Sequence, residues 1–237
     1  MRGRILIVKA GGTFPGLAAD RGDFEDWVAE GLGVDPDRLL VRCPPLGEAL
    51  PEPSSLSGAV VTGSHAMVTD RERWSEATSG WLRDALSAGK PLLGICYGHQ
   101  LLAEAAGGRA GYNPRGREFG TAEIRLLSGA KEDPLFRGLP GTIPVHVCHA
   151  QSVIVLPHGA VPLAESGRDP RQAFRMGERA WGVQFHPEFS ADAARAYVRA
   201  CAGELRAEGQ DPEALEAAIR DTPESRELLR RFGALAS

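Results

Sequence analysis

The stretch Gly94-Ile95-Cys96-Tyr97-Gly98-His99-Gln100 follows the apolar run Pro91-Leu92-Leu93 and precedes Leu101-Leu102-Ala103-Glu104-Ala105, whose apolar residues recur at helical spacing. It marks the point where a buried strand turns sharply into a helix. Small residues on both sides hold Cys96 at the apex of a tight bend, at the carboxyl edge of a sheet, where open α/β sheets place their ligands. The start of the following helix carries the positive end of the macrodipole, which favours a reactive thiolate over a thiol. The expected elements on either side are a parallel strand over Leu92 to Cys96 and a helix ended by Gly107-Gly108.

The same alternation extends outward. Ile5 to Lys9, Leu39 to Arg42 and Ala59 to Thr62 read as further strands, and with Leu92 to Cys96 they form the expected parallel core. Thr69-Asp70-Arg71-Glu72 reads as a capping box before a helix that carries Trp74, Ala77, Trp81, Leu82 and Ala85 on one face and stops at Gly89. Val145 to Cys148, Val153 to Leu156, Ala173 to Arg175 and Trp181 to Phe185 are later strand candidates. Residues 109 to 175 are rich in turns and short strands and read as a small antiparallel excursion from the sheet. Beyond Cys201 the pattern is helical, and Asp211-Pro212 and Thr222-Pro223 each place a cap residue before a first-turn proline. The expected fold is thus α/β, an open, mostly parallel sheet flanked by helices. One domain covers residues 1–202, and a helical C-terminal extension over 203–237 packs on it.

Composition narrows the function. The chain has 237 residues, 43% hydrophobic and 24% charged, with a net charge of −4. That is an ordinary globular composition able to bury a large core. It gives no electrostatic reason to expect nucleic acid or an anionic membrane as partner, because phosphate binding needs clustered Lys and Arg. Cys43, Cys96, Cys148 and Cys201 are widely spaced without a CxxC pair, which suggests neither disulfides nor zinc and fits a reduced, cytoplasmic setting. Cys43, Cys148 and Cys201 read as small buried hydrophobes. The apolar run Ile5 to Val8 is far too short for a signal or membrane segment. No GxxxxGK[ST] or GxGxxG loop occurs, so no cofactor is expected, and His146-Val147-Cys148-His149 is read as strand rather than metal site.

A thiol nucleophile needs a base. In Val183-Gln184-Phe185-His186-Pro187-Glu188-Phe189 an apolar strand ends at His186, and Pro187 stiffens the backbone so that Glu188 can hold the second ring nitrogen. Cys96, His186 and Glu188 then form nucleophile, general base and orienting acid for acyl transfer. His65 and His158 read as loop residues and His99 as structural.

The segments Gly94 to Gly108 and Gly182 to Phe189 resemble the two signatures of the triad-type, class I glutamine amidotransferases. Val60-Val61-Thr62-Gly63-Ser64 resembles that family's oxyanion loop. The resemblance covers roughly residues 1 to 200 and is strongest to free-standing members related to the glutaminase domain of GMP synthase. It implies a flavodoxin-like sheet, backbone N–H donors at Gly63, Ser64 and Tyr97, and substrate contacts from Gln100 and from the segment His149, Gln151 and Ser152. Many relatives have an acidic residue where Gln151 stands and a double glycine where this chain has Gly63-Ser64. The implied activity is hydrolysis of the side-chain amide of glutamine, with the ammonia passed to a synthetase subunit elsewhere. The alternatives are a stand-alone hydrolase of other γ-glutamyl amides or peptides and a non-catalytic binding protein. The stretch Gly111 to Gly120, with Arg115 and Arg117, reads as a surface loop, and its position after the elbow helix leaves room for it to lie near the substrate entrance.

Overall fold

The computed structural model describes residues 3–237. Strands β1 (Arg4–Val8), β2 (Leu39–Arg42), β3 (Leu56–Val61) and β4 (Leu92–Ile95) pair in parallel in the order β2-β1-β3-β4, as the apolar runs predict. A fifth parallel strand, β11 (Ala180–Val183), lies beside β4. Beyond it, β10 (Ala173–Met176), β9 (Val161–Glu165), β6 (Glu118–Leu126) and β7 (Thr142–His149) continue the same sheet with antiparallel pairings, giving nine strands. The middle region is therefore mostly an extension of the main sheet rather than an excursion from it. Only β5 (Arg109–Tyr112) and β8 (Gln151–Val155) form a separate two-stranded ribbon.

The period of two along β1 decides which layer each face meets. Ile5 and Ile7 point to one side, into a core shared with Val28 and Leu32 of α2 (Phe24–Leu32) and Leu228, Leu229 and Phe232 of α8 (Pro223–Leu235). Leu6 and Val8 point to the other, against Leu82 and Ala85 of α3 (Arg73–Ser87) and Leu101, Leu102 and Ala105 of α4 (Tyr97–Ala105). All four β1 side chains are fully buried. Each such Leu, Ile or Val contributes roughly 1.5–3 kcal/mol relative to exposure. A third cluster, built on Phe24, Phe119, Phe189 and Tyr197, brings in α5 (Ala191–Ala200).

Three local expectations change. The helix after β3 starts at Arg73 with Glu72 as its N-cap residue and no capping side-chain bond, so Thr69 to Glu72 is not a capping box. Thr69 instead accepts a hydrogen bond from Gln151 across the structure. The helices α1 (Pro15–Arg21) and α2, and strands β5, β6 and β9, were not among the expected elements, although in α2 Phe24, Val28 and Leu32 recur at helical spacing behind the capping residue Asp23. Asp211 caps α7 (Pro212–Ala217) through the Ala214 N–H, whereas Thr222 occupies the N-cap position of α8 without a cap bond. The short α6 (Ala202–Ala207) completes the C-terminal helices. Among the described residues no helix is long and apolar enough to cross a membrane.

Candidate active site

Cys96 ends β4 and begins α4 with φ +50° and ψ −99°, one of two described non-glycine residues at positive φ. A non-glycine residue there is strained, and strain of this kind persists only where the surroundings over-determine it. Here the surroundings are two glycines. A Cβ built on Gly94 would lie 2.5 Å from the carbonyl carbon of Gly98, and one on Gly98 would lie 2.8 Å from Val61 Cβ and overlap the Val61 carbonyl oxygen. Only glycine lets α4 descend this closely onto β3 and β4. The Cys96 N–H donates to the Val183 carbonyl at 2.9 Å, fixing the bend to β11, whose chain leads on to His186.

His186 and Glu188 stand beside this elbow. His186 Nδ1 and Glu188 Oε1 are 2.7 Å apart, and both residues are buried. Cys96 lies close enough to the same imidazole to raise its basicity. Burial by itself lowers the basicity of His186, but Glu188 and Cys96 outweigh it and push the imidazole up to about 10. The ring is stacked on Phe189 with centroids 4.1 Å apart, and Phe24 lies behind at 6.2 Å. Gly63 closes the other side, since a Cβ there would lie 3.0 Å from His186 Cε1. Thiol, imidazole and carboxylate are thus brought together in the order that nucleophilic acyl transfer uses.

Cys96 opens into a cavity of about 320 Å³ that is also lined by Ser64, Tyr97, Gln100, His149 and Gln151. Three chain segments from the sequence reading therefore meet here. The backbone N–H groups of Ser64 and Tyr97 make no hydrogen bond to another backbone group among the described residues. The Tyr97 side chain itself turns away, donating to Ser75 Oγ at 2.6 Å and stacking on Trp74, and burial pushes its phenol up to about 12. Gln100 donates to the Gln151 carbonyl at 2.9 Å and to Gln184 Oε1 at 3.1 Å. His149 bridges the Gln151 carbonyl and Glu118, each at 3.0 Å, while Gln172 and Ser166 also donate to Glu118. Ser152 lies apart from the cavity lining and donates to Asp169 at 2.6 Å.

The structure adds wall residues that the sequence did not single out: Phe14, Phe119, Tyr197 and Glu204. Cys148 and Cys201 also line the cavity; they pack against the aromatic cluster as small hydrophobes but are only partly buried. The Cys148 carbonyl is 3.7 Å from Cys96 Sγ, and burial pushes the Cys148 thiol well up. Tyr197 ties the loops together: its phenol oxygen accepts from Thr13 Oγ1 at 2.9 Å and sits 3.1 Å from His65 Nε2, next to Ser64. His65 is a loop residue, as expected, and also lines the wall, where burial lowers its basicity. Arg117, from the loop expected near the entrance, lines the wall and pairs with Glu204 at 2.5 Å and Glu208 at 3.1 Å.

Comparison with known proteins gives the family of the chain. The family description "Glutamine amidotransferase class-I" matches residues 54–201. The GMP synthase [glutamine-hydrolyzing] of Aeropyrum pernix is 36% identical over 185 residues, 78% of this chain and 32% of that protein. The enzyme of the same name from Thermus thermophilus is 47% identical over 103 residues, 43% of this chain and 20% of that protein. The chain thus matches about a third or less of the length of these relatives. Among solved structures, a glutamine amidotransferase from Thermotoga maritima superposes with a TM-score of 0.78 at 24% identity, over 100% of this chain and 99% of the other. A glutamine amidotransferase from Methylobacillus flagellatus gives a TM-score of 0.71 at 22% identity, over 100% and 93%. At these identities the two structures speak for the fold, while the family match over most of the chain and the longer sequence relative speak for descent. The chain belongs to the class I glutamine amidotransferase family.

Proposed function

We propose that this protein hydrolyses the side-chain amide of glutamine through a Cys96 thioester and supplies the ammonia to a separate synthetase subunit. The observation that carries the reading is the positive-φ elbow that holds Cys96 in a cavity beside the 2.7 Å His186–Glu188 pair. In this mechanism the Cys96 sulfur attacks the amide carbon, and the backbone N–H groups of Tyr97 and of Gly63 or Ser64 receive the developing oxyanion. His186 gives its proton to the leaving nitrogen, so that ammonia departs and a thioester remains. It then takes a proton from water, which attacks the thioester and returns glutamate and the free thiol. Glu188 keeps the ring oriented and stabilises its charged form. Gln100 and the segment from His149 to Gln151 form the end that holds the amino acid, while Ser152, expected to share in this, is bonded to Asp169 outside the cavity lining.

Residues 1–202 are read as the amidotransferase domain and 203–237 as an extension packed on it. In support, α8 meets α2 at close range, where a Cβ on Gly31 would lie 3.2 Å from Leu229 Cβ. The relatives named GMP synthase support a synthetase partner.

One observation favours a second reading, a stand-alone hydrolase of γ-glutamyl peptides. Arg117 and Ala150 also line a second cavity of about 520 Å³ together with Arg115 and Arg168, so a second space with three arginines adjoins the first at these two residues. The deciding experiment measures ammonia and amine release from glutamine and a series of γ-glutamyl dipeptides, with Cys96→Ala as control. Glutamine turnover that disappears in Cys96→Ala, with Cys96 labelled by a glutamine-mimicking diazoketone in the wild type, is expected. A dipeptide turned over about 100-fold more efficiently, a difference of roughly 2.7 kcal/mol in transition-state binding, would replace the first reading by the second. Full activity in Cys96→Ala would remove both.

A further inference from the structure

The loop from Gly111 to Gly120 is tied to its neighbours by one buried residue. Asn113 is 7% exposed. Its N–H donates to the Ala150 carbonyl at 2.9 Å, its Oδ1 accepts from the Arg115 N–H at 3.0 Å, and its Nδ2 donates to the Arg168 carbonyl at 3.2 Å. The two arginine loops then strap one another: Arg115 Nη1 donates to the Gly167 carbonyl at 2.9 Å, and Arg168 Nη1 donates to the Arg117 carbonyl at 3.1 Å. Arg115, Arg117 and Arg168 thereby line the cavity of about 520 Å³ that adjoins the Cys96 cavity at Arg117 and Ala150. Among the described residues that line it, Glu208 is the one carboxylate, so the cavity has a local excess of two positive charges in a chain whose net charge is −4. Arg115 and Arg168 have no acidic partner among the described residues, and each spends one side-chain N–H on a backbone carbonyl. Arg117 does have acidic partners, but its Nε is buried without a hydrogen bond, since Glu208 stands 3.1 Å away and out of line with that N–H. Guanidinium forks held in place with donors to spare form a site for an oxyanion, whose oxygens they meet in pairs.

We propose that this second cavity is an oxyanion site for the substrate, holding a carboxylate or phosphate carried by the amine that leaves from a γ-glutamyl amide. The inference rests on the reading that Cys96 attacks a γ-amide. The γ-glutamyl part is common to every such substrate, so a further anion is carried by the amine; attachment through the α-carboxylate would remove the head group that the amino acid end holds. The chemistry at Cys96 is unchanged. The sulfur bonds to the amide carbon, the C–N bond breaks, His186 protonates the nitrogen, and the amine departs with its anion in place of ammonia. Water then releases glutamate and restores the thiol. The charge excess selects anionic amines over neutral ones, and Glu208 opposes them by repelling the anion and competing for Arg117. Because Arg115 and Arg168 are exposed, the attraction is screened by salt.

The test compares γ-glutamylglutamate with γ-glutamylglutaminamide, a pair of the same shape in which the two carboxylates of the leaving amine become carboxamides. Amine release by the full-length protein is expected to favour the first by about tenfold in kcat/KM, the effect of a charged hydrogen-bonded contact, and the preference should fall toward one as salt rises to about 0.5 M. Arg115→Ala combined with Arg168→Ala should collapse the ratio. Glu208→Gln should raise it, an opposite effect that a loosened loop would not give. Each single arginine variant should lower the ratio about threefold, which keeps the test open if the double variant does not fold. Equal kcat/KM for the two dipeptides, a ratio that none of these variants moves, or turnover of glutamine with neither dipeptide hydrolysed overturns the inference and leaves the γ-amide reading intact. A charge preference seen instead in ammonia release from glutaminylglutamate over glutaminylglutaminamide, where the anion is joined through the α-carboxyl, overturns the assignment to the leaving amine. Inorganic phosphate that changes glutamine turnover through Arg115 and Arg168, without any dipeptide preference, marks a site for a free anion and overturns the assignment to substrate. No turnover of any γ-amide and no labelling of Cys96 overturns the γ-amide reading itself.

Discussion

Replacing Gly98 by alanine tests whether the close descent of α4 onto the sheet creates the site. The new Cβ would lie 2.8 Å from Val61 Cβ, 2.9 Å from the Val61 carbonyl carbon, and closer still to its oxygen. Ordinary contact begins at 3.4 Å, so the helix must retreat by more than half an ångström to clear Val61 Cβ and by more than that to clear the Val61 carbonyl oxygen. The obstacle is strand backbone, which cannot swing aside as a side-chain tip does. The cost therefore belongs at the upper end of overpacking, about 3 kcal/mol. For a chain of this size that corresponds to a fall in Tm of about 6–12 °C. Activity should fall as well, because Cys96 and the Tyr97 N–H stand at the start of the displaced helix. A shift of this order costs on the order of tenfold to 100-fold in kcat/KM. Gly203→Ala is the matched control: a Cβ there has nothing within 4 Å, so it should leave Tm and activity unchanged or raise Tm slightly. Thermal melts followed by circular dichroism, with glutamine turnover on the same samples, read both effects. A Gly98→Ala protein with wild-type Tm and wild-type kcat/KM would refute the claim that the approach of α4 to β3 builds the elbow.

Two further outcomes concern the buried pair behind the nucleophile. His186→Ala should lose more activity than Glu188→Ala, because an orienting carboxylate makes no bond itself; steady-state kinetics giving the reverse order would remove Glu188 from that role. The pH dependence of stability follows from the imidazole being raised from 6.5 to about 10. The stabilisation is complete below about pH 6.5 and is lost as pH rises through 10. Glu188→Gln lacks most of it, so the Tm gap between wild type and variant should be wide at pH 7 and narrow by pH 10. A gap that stays constant or widens over that range would contradict the sign.

Much of the site was legible in sequence because its parts are local. Gly94, Cys96 and Gly98 state a sharp turn within five residues, and His186 with Glu188 brackets a proline at the end of an apolar strand. Strands with continuous apolar runs, such as Ile5 to Val8 and Leu92 to Ile95, were equally plain, since both of their faces are covered and every residue is buried. The strands β6 and β9 were not, because these antiparallel strands mix exposed and buried residues over short spans: β6 alternates charged Glu123 and Arg125 with buried Ile124.

What the sequence alone determined was a parallel α/β sheet with a cysteine elbow at its carboxyl edge and a histidine and a glutamate two residues apart at the end of an apolar strand. Those features are carried by periodicity and by short-range backbone chemistry, which a chain writes out in order. What the tertiary structure decided was the shape and polarity of the cavity. Gln151 meets Thr69 across 82 positions, Tyr197 meets Thr13 across 184, and Arg117 meets Glu204 across 87. No local pattern records such pairings, because each side chain is an ordinary polar residue until folding removes its water and fixes its one remaining partner. Which donors and acceptors are left facing the cavity is a property of that packing, and it is the packing that sets which substrate atoms the cavity can satisfy.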